Sequence, residues 1–171
     1  MCDDNTTMKK ASEYWGALTN EGVIYLMESG ITRVSYITFL FICQHVGADG
    51  KYHGTINSLF TRMTDEFNNN DYMQGGNKIH KIVPHAPSKQ AVYNAIQELE
   101  NNKLIYKKSG VFEYFVNPLI YYKGGRKENK SLLIELLLKE GIDPEDDDVN
   151  ALLKEKGLPV IPSILGELYS Y

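Results

Sequence analysis

Apolar residues recur at helical spacing between Ser88 and Asn101. Val92, Ala95, Ile96 and Leu99 stand at i, i+3, i+4 and i+7, which predicts a helix with one buried face. Ser88 sits where a hydroxyl can accept free backbone N–H groups at the helix start. The opposite face carries Gln90, Tyr93, Asn94, Gln97 and Asn101. After Asn102 the pattern becomes strand-like: Leu104-Ile105-Tyr106, then Lys107-Lys108-Ser109-Gly110, then Val111 to Val116. This predicts a β-hairpin with a short, basic turn.

Upstream, Arg33 to Val46 (RVSYITFLFICQHV) is apolar almost all round, as expected of a fully buried helix. Gly47-Ala48-Asp49-Gly50 reads as a turn, and Lys51 to Thr55 as a short strand. Ser58 to Phe67 places Leu59, Phe60, Met63 and Phe67 on one side, predicting a further helix. Gly22 to Ser29 is a short apolar segment, either an extra strand or a helical turn. Residues 1–12 are polar and expected to be disordered. Asn68 to Pro87 is a Gly- and Asn-rich connection of a length uncommon inside a compact domain. With Lys78, His80, Lys81 and His85 it reads either as a cationic arm for a DNA backbone or as a loose insertion.

The C-terminal part differs in kind. Leu132 to Leu138 (LLIELLL) must pack on more than one side, and Gly141 ends that helix. The acids from Asp143 to Asp148 are expected at the start of another helix, where they favour the positive end of its dipole. That helix should run to about Lys156 and close at Gly157. These helices would either pair two copies as a homodimer or cap the core of their own chain.

Composition narrows the options. The 171 residues suit one domain with an appendage, and 43% apolar content suffices for a core. The opening MCDDNTTMKK lacks the basic-then-apolar order of a secretory signal, and no apolar run is long enough to cross a bilayer. A cytoplasmic protein is expected. Cys2 and Cys43 suggest no disulfide framework, and Cys43 reads as a buried free thiol. The net charge of −4 argues against a polyanionic partner, but its distribution argues back. Lys78 to Lys130 holds ten basic and four acidic residues, while the flanking segments are both acidic. Local field governs encounter with a polyanion, although a solvated charged face is the plainer explanation of any charge block.

Catalytic signatures are missing. His45, His53, His80 and His85 show no metal-ligand spacing, and there is no C-x-x-C. Gly75-Gly76 and Gly124-Gly125 stand outside any phosphate-cradling pattern. The acidic run lacks the glycine and final glutamate of a calcium loop. The expectation is a non-enzyme without cofactors or metal.

The run SKQAVYNAIQELENNKLIYKKSGVFEYFVNP through LIYYKGG resembles the winged-helix plasmid replication proteins of Gram-positive bacteria, the RepL-like group. Members similarly carry a Ser-Lys-x-x-Val-Tyr helix opening, a Leu-Ile strand junction, a Val-Asn-Pro strand end and a following aromatic pair with Lys-Gly. Here that pair is Tyr121-Tyr122-Lys123-Gly124, and an Asp49-Gly50-Lys51-Tyr52 turn lies upstream. The resemblance spans about residues 30–130, best over Ser88 to Gly125; the 68–87 connection and the acidic C-terminus fit it poorly.

The resemblance implies an α+β, mainly helical fold: a winged helix-turn-helix over 20–128, with a small β-hairpin wing and a helical extension over 129–171. It implies binding to double-stranded DNA in plasmid or phage replication initiation. Lys89, Gln90, Tyr93, Asn94 and Gln97 would enter a major groove, Gln90 and Asn94 being suited to adenine edges. Lys107, Lys108 and Ser109 would meet the backbone or a minor groove, and Lys123, Arg126, Lys127 and Lys130 would supply phosphate contacts. Asn117-Pro118 reads as the end of the wing strand. A transcription regulator with the same fold, or a winged module that binds only protein, would share these residues.

Overall fold

The computed structural model describes residues 16–68, 71–74, 77–80, 86–108, 110–123 and 125–162. The first twelve residues, Ser109, Gly75-Gly76, Lys81, His85 and the final segment from 163 lie outside them. The chain is α+β and mainly helical. In order it forms β1 (Ala17–Leu18), α1 (Asn20–Glu28), α2 (Arg33–His45), β2 (Lys51–His53) and α3 (Ile56–Asn68). There follow β3 (Asp71–Gln74), β4 (Asn77–His80), α4 (Lys89–Asn101), β5 (Ile105–Lys107) and β6 (Glu113–Val116), then β7 (Tyr121–Tyr122), α5 (Arg126–Lys139) and α6 (Val149–Glu155). No helix among the described residues is long and apolar enough to cross a membrane.

A three-stranded antiparallel sheet of order β2-β6-β5 organises the molecule. Tyr52 faces Tyr114 across β2–β6, and Tyr106 faces Phe115 across β5–β6. Strand period 2 sends alternate residues of β6 to opposite faces. Tyr114 and Val116 join the front core with Phe39, Ile42, Leu59, Met63, Val92, Ile96 and Leu99 from α2, α3 and α4. Phe115 turns to the back and joins Leu132, Leu133, Leu136, Leu137 and Leu153 from α5 and α6. The leucine-rich helix therefore covers its own sheet, and its buried leucines are not available to a second copy. Of this run Leu138 is the exposed member, at 63%.

The structure resolves the open choice at residues 22–29 in favour of a helix. Thr19 caps α1: its hydroxyl accepts from Gly22 N at 2.8 Å and donates to Leu119 O at 2.6 Å. Gly22 has to be glycine here, because a Cβ would lie 2.5 Å from the Ile120 backbone. Buried Asn117 fixes that same turn, donating to Lys103 O and accepting from Leu119 N, both at 2.9 Å. Asn117 thus ends the strand and takes a structural role.

Four expectations need correction. The α2 segment is not apolar all round in space: Arg33, Leu40, Gln44 and His45 face outward. The 68–87 connection is not structureless, since β3 and β4 pair antiparallel from Asp71↔His80 to Gln74↔Asn77. The helix after the acids starts only at Val149. Asp143 and Asp146 instead accept from Glu145 N and Asp148 N in side-chain turns, and Asp148 caps α6 through Ala151 N. Finally, Val111 and Phe112 are not strand residues, because β6 begins at Glu113.

Candidate nucleic-acid interface

Helix α4 begins at Ser88, whose hydroxyl accepts from Ala91 N at 3.2 Å. Its apolar stripe is fixed in the front core: Val92 and Leu99 are fully buried, Ala95 and Ile96 nearly so. That burial sets the rotation of the helix, so Lys89, Gln90, Tyr93, Asn94 and Gln97 all face outward. The structure brings these five residues of the expected interface onto one exposed face. Their side chains bond one another: Gln90 Nε2 donates to Asn94 Oδ1 at 2.9 Å, and Gln97 Nε2 to the Tyr93 hydroxyl at 3.2 Å. Such mutual bonds hold amides in extended rows and can be exchanged for bonds to a ligand.

The other end of α4 is occupied. Glu98 accepts from Thr32 N at 3.1 Å, from the Thr32 hydroxyl at 2.8 Å and from the Ser35 hydroxyl. These bonds place a carboxylate at the positive N-terminus of α2 and hold its carboxyl below the usual range. Between α2 and α4 runs an open groove of about 400 Å³, lined by Thr32, Val34, Ala91, Asn94, Ala95 and Glu98. The charge of Glu98 is thus held by hydroxyls and backbone at one end of the groove, while the exposed Asn94 bonds its own-helix neighbour Gln90.

From α4 the chain passes through Lys103, at φ +56°, into β5. Lys103 belongs to the framework: its Nζ meets Glu140 at 2.8 Å, and Glu140 also accepts from the Tyr106 hydroxyl at 2.8 Å. Burial, followed by this bond to Glu140, pushes the Tyr106 phenol well above its ordinary range. Lys107 and Lys108, in contrast, are exposed at the hairpin, with Gly110 at φ +76° and open space around it.

The third group of expected contacts divides. Lys127 and Lys130 are exposed on α5. Lys123 is half-buried, and its Nζ donates to Val46 O at 3.1 Å, tying the chain after β7 to the end of α2. Its expected phosphate contact therefore competes with a structural bond. Arg126 opens α5. Sequence reasoning missed two further residues at the hairpin: Val111 and Phe112 are 42% and 72% exposed. Phe112 shares the parity of Tyr114 and Val116, so its spacing pointed to the core, and only the early end of β6 releases it. Among the described residues, no group of three or more His, Cys, Asp or Glu side chains could hold a metal ion.

Comparison with protein-family models, with curated proteins and with solved structures finds no match for this chain.

Proposed function

We propose that this chain is a winged-helix protein that binds double-stranded DNA sequence-specifically and acts in plasmid or phage replication initiation. The observation that carries this reading is the exposed row Lys89, Gln90, Tyr93, Asn94 and Gln97, followed directly by a basic hairpin. The order α2-β2-α3-β3-β4-α4-β5-β6, with β6 central between β2 and β5, supports it: apart from the inserted β3–β4 pair it follows the winged-helix order, in which α4 would be the recognition helix.

In this reading the function is binding, not catalysis. Gln90 and Asn94 form paired hydrogen bonds to adenine edges, each good pair discriminating by about 1–3 kcal/mol. Lys107, Lys108, Lys127 and Lys130 neutralise phosphates, which sets register and affinity without reading sequence. A transcription regulator would use the same residues, and the target site separates the two: a replication origin with repeats as against a promoter operator. A homodimer on paired sites would have to use a surface other than the buried leucines of α5. A protein-binding role is favoured by the net charge of −4 and by the exposed Ile24 and Met27 of α1, at 56% and 75%, and the lysines clustered around the hairpin count against it.

Selection of bound duplexes from a random library at near-physiological salt tests the proposal. A recovered motif, present as repeats in the native replicon's origin, is the expected result. Lys107→Ala with Lys108→Ala should weaken binding to every sequence and reduce the salt slope by roughly 2. Failure to enrich any sequence, with salt-independent background binding, would overturn the proposal in favour of protein contacts.

A further inference from the structure

The hairpin between β5 and β6 carries a surface that phosphate binding does not account for. Phe112 is 72% exposed and its neighbour Val111 42% exposed, on a hairpin that also carries Lys107 at the end of β5 and Lys108 after it. The Phe112 backbone is fixed, because its carbonyl accepts from Gly54 N at 2.9 Å at the turn between β2 and α3. Val111 N donates to Lys108 O at 3.3 Å, which closes the turn before Phe112. Beside the ring lies a partly enclosed hollow of about 270 Å³, lined by Ile56, Lys107, Lys108, Val111 and Tyr114. A large aromatic side chain is thus held out from an anchored backbone and lines the same hollow as two exposed lysines.

Resting on the DNA-binding reading above, we propose that Phe112 is a wedge that enters between base pairs when the hairpin docks, unstacking one step of the duplex. The occupant follows from charge and shape together. Two ammonium groups recruit phosphates, and an apolar plane beside them finds its complement in the π-faces between those phosphates. A purely phosphate-binding tip would be served by lysines and glycine alone. Insertion is least costly at flexible pyrimidine–purine steps, so the wedge adds a preference for deformable sequence to the direct readout by α4. The hollow beside the ring gives Phe112 room to change rotamer as it enters.

The test uses the full chain and a set of duplexes of about 30 base pairs, each long enough for one docked protein. The set carries 2-aminopurine tiled over every step of the motif recovered by selection and of flanking A·T-rich sequence with TA steps. The expected result is a fluorescence rise of about twofold or more at one or a few steps on binding, reporting loss of stacking there. Phe112→Ala should abolish the rise while affinity, read by anisotropy, falls less than about tenfold. Phe112→Trp should restore it. Lys107→Ala with Lys108→Ala should lower affinity yet keep the rise at saturation. Binding by the natural chain without a rise at any position would overturn the wedge and leave DNA binding standing, as would a rise that survives Phe112→Ala. No binding to any duplex would overturn both.

Discussion

The two ends of α4 look alike on paper and behave differently in space. Both are rich in polar residues, and both share the buried stripe that runs to Leu99. Around Gln90 to Gln97 the outward amides bond, among the described residues, within their own row: Gln90 to Asn94 and Gln97 to Tyr93. At the other end Glu98 is fastened to Thr32 and Ser35, and just past the helix the Asn102 carbonyl accepts from the Tyr25 hydroxyl and Lys103 meets Glu140. A polar group already satisfied by the fold sets the position of the helix. One satisfied only by its neighbours is available to a partner.

Substitutions can break this contrast. Leu99→Ala, in the stripe common to both ends, should cost about 2–5 kcal/mol in chemical denaturation and abolish the distinction by loosening the whole helix. Asn94→Ala should leave stability within about 0.5 kcal/mol, as befits an exposed site. It should nonetheless relax base preference by up to about 3 kcal/mol in selection experiments. A large loss of stability from Asn94→Ala would place it with the fastened end. Thr32→Ala removes the cap that Glu98 supports, with an expected cost of about 1 kcal/mol in denaturant.

A pH titration sharpens the contrast further. The Glu98 carboxyl is depressed by its bonds to Ser35 and Thr32, so its stabilising contribution is present above the unfolded value of about 4.3. It is lost as pH falls through the lower folded value. Wild type should therefore exceed Glu98→Gln in stability at neutral pH, with the two curves converging below about pH 4. Parallel curves down to pH 3 would show that Glu98 has no such role.

Much of this was legible in the sequence where local chemistry and tertiary packing agree. The α4 stripe, the Ser88 cap and the basic turn each follow from spacing alone. At α1 the spacing was ambiguous because Gly22 and five apolar neighbours fit a strand as well as a helix; the close approach to Ile120 decides it. The β3–β4 pair was hidden by its Asn and Asp content, although a Gly-Gly pair between DYMQ and NKIH is a recognised hairpin signal. The acids at 143–148 favoured turns over helix because their carboxylates bond their own backbone. Bonds such as Glu98 to Thr32 and Lys123 to Val46 join residues 66 and 77 positions apart, so no local pattern announces them.

The clasp between Thr19 and Leu119 spans 100 positions, and β2 finds its partner only in β6. An emerging chain therefore has no place to dock α1, and no strand to pair with β2, until the segment through Ile120 has been made. Folding should be a late, concerted event with slow, long-range closure, rather than a sequence of early independent steps. A chain halted before residue 113 would leave β2 an unpaired edge, so premature termination should yield an aggregating species instead of a smaller working one.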